Sequence, residues 1–311
     1  MTRLKVVFMG SPEFAVPALE RLLESADVRA VVTQPDRPKG RGRALAPPPV
    51  KQVATRARLP VLQPERIKGN QTFLDELRAL APELIVVVAY GRILPPALLE
   101  LPPRGCINVH ASLLPRYRGA APIQWAIARG ERETGVSIMQ MDAGMDTGPV
   151  LLQHRCAIDD RDTAGSLSEK LARLGADALD EALRGLADGT VRSSPQDEAA
   201  ATYAPRLEKH DGSVDFEKPA RAVRDWIRAM DPWPGAFVRL ADEPVRLFSA
   251  RLVSGAGVPG TVLGADRDGL LVACGQGAIG IGELQLPGRK RIPARALLAG
   301  HPIPIGTVLR A

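Results

Sequence analysis

Leu84-Ile85-Val86-Val87-Val88-Ala89 is apolar at every position, the pattern of a central strand buried on both faces. Further β-rich runs precede and follow it: Leu4–Met9, Val28–Thr33, Cys106–His110, Val136–Met141 and Val150–Ala157. Between them lie amphipathic stretches such as Phe14–Glu24, Phe73–Leu80 and Ile123–Arg129. That alternation predicts a Rossmann-like α/β domain, a mostly parallel sheet with helices on both faces. Ligands of such sheets sit at the carboxyl ends of the strands, where Tyr90-Gly91 and His110-Ala111-Ser112 both fall.

The pattern changes past the middle of the chain. A long helix is expected over Ser166–Asp188, with Gly189 as its stop, and Val191–Pro205 reads as a polar linker. A short helix near Ala220–Arg228 and a turn at Asp231-Pro232-Trp233-Pro234-Gly235 follow. Then come short strands at Ala236–Leu240, Pro244–Arg251, Gly260–Leu263, Gly269–Ala273 and Ala278–Leu286, which suggest a small OB-like β-barrel. With 311 residues the chain is long enough for two domains, expected at 1–190 and 207–311 with a linker at 191–206.

The net charge of +6 is compatible with a polyanionic partner. Three scattered cysteines, Cys106, Cys156 and Cys274, argue against a disulfide framework and a structural zinc site. The leading apolar run is too short for a signal sequence or a membrane span, so a cytoplasmic protein with no membrane association is expected.

Chemistry concentrates around Gly105-Cys106-Ile107-Asn108-Val109-His110-Ala111-Ser112-Leu113-Leu114-Pro115. Strand side chains alternate, so Asn108 and His110 share a face. A Gly-containing loop, Asp142-Ala143-Gly144-Met145-Asp146-Thr147-Gly148, adds carboxylates. An imidazole can move a proton near neutral pH, an amide N–H can donate to an oxyanion, and a carboxylate can orient the imidazole. Such a set suits acyl transfer to an amine without a covalent intermediate. Sequence alone does not separate Asp142 from Asp146, and either could merely form an Asx-turn. His154, His210 and His301 lack comparable company. Ser112 is not in a GxSxG elbow, and no cysteine has a positioned histidine. Gly10-Ser11-Pro12-Glu13-Phe14 offers one glycine where a dinucleotide fingerprint has three, and neither a Walker motif nor a metal-ligand cluster is present.

The second distinctive stretch is Gln34–Lys51, which carries Arg37, Lys39, Arg41, Arg43 and Lys51 against Asp36 and is closed by Pro47-Pro48-Pro49. It reads as a long irregular loop, and long loops are often functional.

Asn-x-His followed by Ser-Leu-Leu-Pro, with a later Asp in a Gly-rich loop, resembles the formyltransferases that use 10-formyltetrahydrofolate. Gly10–Phe14, the Pro-Asp-Arg-Pro-x-Gly-Arg-Gly run from Pro35 to Gly42, and Val86–Pro95 extend the likeness. It is dense between residues 8 and 150 and thin beyond 210. The resemblance implies Asn108, His110 and Asp146 as the catalytic set and 10-formyltetrahydrofolate as formyl donor, with no metal. It implies a folate pocket lined by Ser112, Leu113, Leu114 and Pro115, with the pterin against the backbone around Val88, Tyr90, Gly91, Ile93 and Leu94, and Asp142 shaping the loop or touching folate. It further implies that Arg37, Lys39, Arg41 and Arg43 meet the acceptor end of a charged initiator tRNA, that the barrel adds a basic surface, and that the protein is a monomer. Related enzymes with small amine acceptors, formyltetrahydrofolate hydrolases and an inactive tRNA-binding protein are the alternatives. The basic stretch and barrel argue against a small acceptor, and the intact Asn108, His110 and Asp146 argue against loss of catalysis.

Overall fold

The structure, a computed structural model, describes residues 3–39, 44–240 and 243–310. The chain forms two compact units. One comprises Met1–Gly119, Glu133–Ala157 and Ser168–Tyr203, the other Ala120–Arg132, Ile158–Leu167 and Ala204–Ala311.

The strands up to residue 157 are β1 (Lys5–Gly10), β2 (Asp27–Val32), β3 (Arg37–Lys39), β4 (Ala44–Ala46), β5 (Val61–Leu62), β6 (Leu84–Val88), β7 (Cys106–His110), β8 (Arg118–Gly119), β9 (Glu133–Gln140) and β10 (Val150–Ala157). Seven of them build one sheet in the order β10-β9-β7-β6-β1-β2-β5. The pairs β1–β2, β1–β6, β2–β5 and β6–β7 are parallel, while β9 runs antiparallel to β7 and β10. All five residues of β6 are buried, as an apolar strand covered on both faces requires.

The helices, in chain order, are α1 (Val16–Ser25), α2 (Pro49–Arg56), α3 (Gln71–Ala79), α4 (Pro96–Leu99), α5 (Pro122–Ala128), α6 (Ala164–Asp188), α7 (Ala220–Ala229) and α8 (Ala294–Gly300). Buried Ala18, Leu19 and Leu22 form the inner stripe of α1, and a 3-10 turn at Glu13–Ala15 precedes it where the sequence pattern suggested continuous helix. Asn70 caps α3, its side-chain oxygen accepting from Phe73 N at 3.0 Å. Gly175 lets α6 approach β7: a Cβ there would lie 2.9 Å from Val109 Cγ1. Val109 thus meets α6, and the pleat sends Asn108 and His110 to the other face.

The described parts of Gln34–Lys51, which was expected to be one long loop, carry regular structure. Strands β3 and β4 pair as an antiparallel hairpin, and α2 begins at Pro49, where a missing N–H costs a helix nothing. Val50, Val53 and Ala54 form its buried stripe. The polar segment from Val191 likewise holds a 3-10 turn at Glu198–Ala200 and a short strand, β11 (Tyr203–Ala204).

In the second unit, Trp125 of α5 packs edge-on against Trp226 of α7, ring centres 5.9 Å apart. Within α7, buried Asp225 accepts from Arg224 Nε and Arg228 Nε, each at 2.9 Å. The remaining strands are β12 (Phe237–Leu240), β13 (Glu243–Val253), β14 (Val262–Asp266), β15 (Gly269–Ala273), β16 (Ala278–Gln285) and β17 (Ile292–Pro293). They form an antiparallel sheet in the order β12-β13-β16-β15-β14, with β17 also on β16. The last residues bridge its two edges, Arg310 pairing with Arg239 and Val308 with Thr261, which gives the barrel-like closure expected of an OB-like domain.

Candidate active site

The site is assembled at the carboxyl end of β7, within the first unit. His110 is the last residue of the strand and is buried, while Asn108 two residues earlier is half-buried. A backbone carbonyl anchors the imidazole: Nε2 lies 3.0 Å from the Tyr117 oxygen. A carbonyl only accepts, so Nε2 carries a hydrogen in this contact. Nδ1 faces Asp146, 3.6 Å from Oδ2. The same carboxylate oxygen accepts from Gly119 N at 2.9 Å. Gly119 has φ +119°, a conformation open to glycine and costly for other residues. Tyr117 and Asp146 themselves take left-handed backbone, φ +61° and +56°, so both neighbours of the imidazole are held in uncommon conformations.

The structure separates the two carboxylates that the sequence left together. Asp142 is exposed and closes its own turn, Oδ1 accepting from Gly144 N at 3.0 Å and from Thr147 Oγ1 at 2.8 Å. Asp146 is the one brought to His110.

Neither buried thiol offers a nucleophile. Burial pushes Cys106 up to about 12 and Cys274 up to about 11, so both stay protonated at neutral pH. Among the described residues no group of three His, Cys, Asp or Glu side chains is placed to hold a metal ion, and no helix is long and apolar enough to cross a membrane.

Comparison with known proteins decides the family. Residues 4–183 match the formyl transferase family and residues 206–302 match its C-terminal domain. The chain belongs to the formyltransferase family. Methionyl-tRNA formyltransferase of Trichlorobacter lovleyi is 49% identical over 310 residues, spanning 99% of this chain and 98% of that one. The enzyme of the same name from Pelobacter propionicus is 51% identical, spanning 99% and 97%. A crystal structure of HypX from Aquifex aeolicus in complex with tetrahydrofolic acid superimposes with a TM-score of 0.64 at 19% identity, over 96% of this chain. This chain spans 47% of that longer protein, and the likeness is one of fold.

In this formyltransferase the Ser112–Pro115 turn is a tightly bonded support. Ser112 is fully buried and donates its hydroxyl to Arg116 O at 2.6 Å. Its carbonyl accepts from Ser137 Oγ at 2.7 Å, and Ser137 Oγ accepts from Leu114 N at 3.0 Å. Leu114 is buried, while Leu113 and Pro115 are half-buried and leave some surface open. Of the segment after β6, Val88, Tyr90 and Leu94 are buried, whereas Gly91 and Ile93 are exposed, Ile93 to 89%. Ala89 (φ +47°) and Gly91 (φ +75°) take left-handed backbone in this segment. Gln34 ties it to the segment after β2: Nε2 donates to Tyr90 O at 3.0 Å and Oε1 accepts from Arg92 Nε at 3.1 Å.

Arg37 is exposed on the hairpin, and only the backbone of Lys39 is described. Arg41 and Arg43 lie outside the described residues. Lys51 is a local partner: it donates to Asp36 at 2.8 Å and to Gln63 Oε1 at 2.7 Å. Hydrogen bonds from Gln63 and then Lys51 hold the Asp36 carboxyl below its ordinary value.

Sequence reasoning missed four participants. Tyr117 acts through its carbonyl, for which side-chain identity gives no signal. Arg118 is fully buried, and its guanidinium meets Gln196 and Glu198, with Nη1 2.8 Å from Glu198 Oε2. Gln196 and Glu198 belong to the segment read as a linker. The signal available was a lone Arg118 beside the motif, but its partners lie 78 and 80 residues away.

Proposed function

We infer that this formyltransferase moves the formyl group of 10-formyltetrahydrofolate to the α-amine of methionine esterified to initiator tRNA. The products are N-formylmethionyl-tRNA and tetrahydrofolate. Support comes from relatives of that name, 49% and 51% identical over nearly the whole chain. The geometry that carries the chemistry is His110 standing between the Tyr117 carbonyl and the Asp146 carboxylate, with Asn108 beside it on the same strand.

The reaction needs the amine to lose a proton as it adds, the formyl oxygen to carry charge, and the leaving nitrogen to gain a proton. Because Tyr117 occupies Nε2, His110 exchanges the proton through Nδ1. Asp146, 3.6 Å from Nδ1, stabilises the ring while it is charged. Asn108 donates its carboxamide N–H to the charged oxygen, a contact typically worth about 3 kcal/mol.

The folate supplies the formyl group. Exposed Ala89, Gly91 and Ile93 fit such a ligand: their main chain can meet a pterin edge, and Ile93 offers apolar surface. Half-buried Leu113 and Pro115 complete the folate site, and Val88, Tyr90, Leu94, Ser112 and Leu114 are its buried members. Arg37, Lys39, Arg41 and Arg43 contact the tRNA acceptor end, and the domain from residue 207 adds a basic surface. The protein acts in the cytoplasm as a monomer.

Incubation with 10-formyltetrahydrofolate and methionyl initiator tRNA, followed by ester hydrolysis and assay of N-formylmethionine, tests this. Formylation of the charged tRNA, with none of free methionine or uncharged tRNA, is the expected result. Folate consumption with no formylated tRNA would move the assignment to another acceptor or to hydrolysis, and no turnover by folded protein would leave a tRNA binder.

A further inference from the structure

We propose that residues 196–202 form a brace that fixes the two groups flanking His110, and that Gln196 is a positioning residue acting through Asp146. The proposal rests on the reading of Asp146 as the carboxylate that serves His110.

The Gln196 carboxamide is used at both ends. Nε2 donates to the backbone carbonyls of Asp146 at 2.8 Å and Gly148 at 2.7 Å. Oε1 accepts from Arg118 Nε at 3.1 Å and Nη2 at 2.8 Å. Arg118 is fully buried and also meets the Glu198 carboxylate, with Nη2 2.7 Å from Oε1. Gly119, the next residue, donates its N–H to Asp146 Oδ2 at 2.9 Å. Asp146 is therefore gripped at its backbone by Gln196 and at its carboxylate by Gly119, and both grips are rooted at the Arg118 position. Its left-handed backbone (φ +56°) is a conformation that needs such holding.

The same segment reaches the other side of the imidazole. Thr202 Oγ1 accepts from Tyr117 N at 2.8 Å, and Thr202 O accepts from Arg118 N at 2.9 Å. Tyr117 is the residue whose carbonyl anchors His110 Nε2. Gln196 thus holds the partner of Nδ1, and Thr202 holds the partner of Nε2.

Gln196→Glu separates positioning from folding. It keeps an oxygen acceptor for Arg118 and removes the two bonds donated to Asp146 and Gly148. The expected result is a folded protein whose kcat falls on the order of 10- to 100-fold, with KM for both substrates within about twofold. In an Asp146→Ala background the same substitution should cost less than about twofold, because the group it positions is gone. A kcat within twofold of wild type, or an equal loss in both backgrounds, would overturn the brace. Wild-type protein that fails to formylate would defeat the functional reading alone. The brace is then judged without substrate, from the imidazole 15N titration of His110. The carboxylate introduced at 196 would by itself raise the midpoint, whereas loss of the Asp146 charge lowers it; a midpoint lowered in Gln196→Glu as in Asp146→Ala therefore supports the brace, and one unchanged or raised overturns it. Should Gln196→Glu not fold, Thr202→Val removes the acceptor for Tyr117 N on the other side of the ring; a kcat lowered on the order of 10-fold with KM within about twofold supports the brace, and a kcat within twofold of wild type overturns it.

Discussion

His110 is anchored by Tyr117 through the backbone, its Nε2 lying 3.0 Å from the Tyr117 carbonyl oxygen. The contact assigns labour within the ring. Nε2 holds the imidazole in place, and Nδ1, facing Asp146, is the nitrogen to which the proposed mechanism gives proton exchange. Substituting the Tyr117 side chain leaves that anchor in place, whereas displacing its backbone does not.

Asn108 should matter through kcat. Asn108→Ala removes the amide donor while leaving β7 intact, and kcat is expected to fall about 10²- to 10³-fold. Steady-state kinetics at saturating folate check this. A kcat within threefold of wild type would remove Asn108 from stabilisation of the oxyanion.

The two carboxylates of the 142–148 loop should behave differently. Asp146→Asn keeps the shape and removes the charge facing His110, and is expected to lower kcat about 10²-fold or more. Asp142→Ala disturbs an exposed turn bonded to Gly144 and Thr147, and should leave kcat within about threefold. Comparing the two variants in one assay checks the distinction, and an equal loss would reassign Asp142.

The Asp36–Lys51 pair predicts a pH-dependent contribution to stability. The folded-state Asp36 carboxyl is depressed by Gln63 and Lys51, so its contribution is fully present above the unfolded value near 3.8 and is lost as pH falls through the lower folded value. Urea unfolding of wild type and Lys51→Met should therefore differ at pH 6 and converge on acidification below about pH 4. A difference that does not change with pH would show that Lys51 stabilises by packing alone.

Contacts from the basic stretch should be visible as salt dependence. Arg37→Ala and Arg41→Ala are each expected to weaken binding of charged tRNA and to reduce the slope of log affinity against log salt by roughly 0.7–0.9. Unchanged slopes in both variants would make this stretch a solvated surface feature.

Much of this was legible in the sequence because the signals are local. The run Cys106–His110 coincides with β7, since an apolar strand with two polar residues at period two has few alternatives. The Gln34–Lys51 stretch was harder. Its prolines look like breaks, yet Pro49 starts α2 and residues before it pair as a hairpin. The support around His110 was not legible for a different reason. Its members are a backbone carbonyl at Tyr117 and side chains at Arg118, Gln196 and Thr202, joined across about 80 residues of chain. A polar segment such as Val191–Pro205 gives no sign, by composition, that its amides and hydroxyls close on the residues flanking His110. Likewise Asp142 and Asp146 are equivalent in sequence, and only the fold places one against the imidazole.

The most direct measurement is formylation of methionyl initiator tRNA by wild type and His110→Ala side by side, with tRNA affinity measured on the same preparations. Wild type should produce N-formylmethionyl-tRNA from 10-formyltetrahydrofolate, while His110→Ala loses at least about 10²-fold in kcat and keeps its tRNA affinity within about twofold. A variant that turns over within threefold of wild type would contradict the placement of the chemistry at His110, and wild-type protein without formylation of the charged tRNA would contradict the function itself.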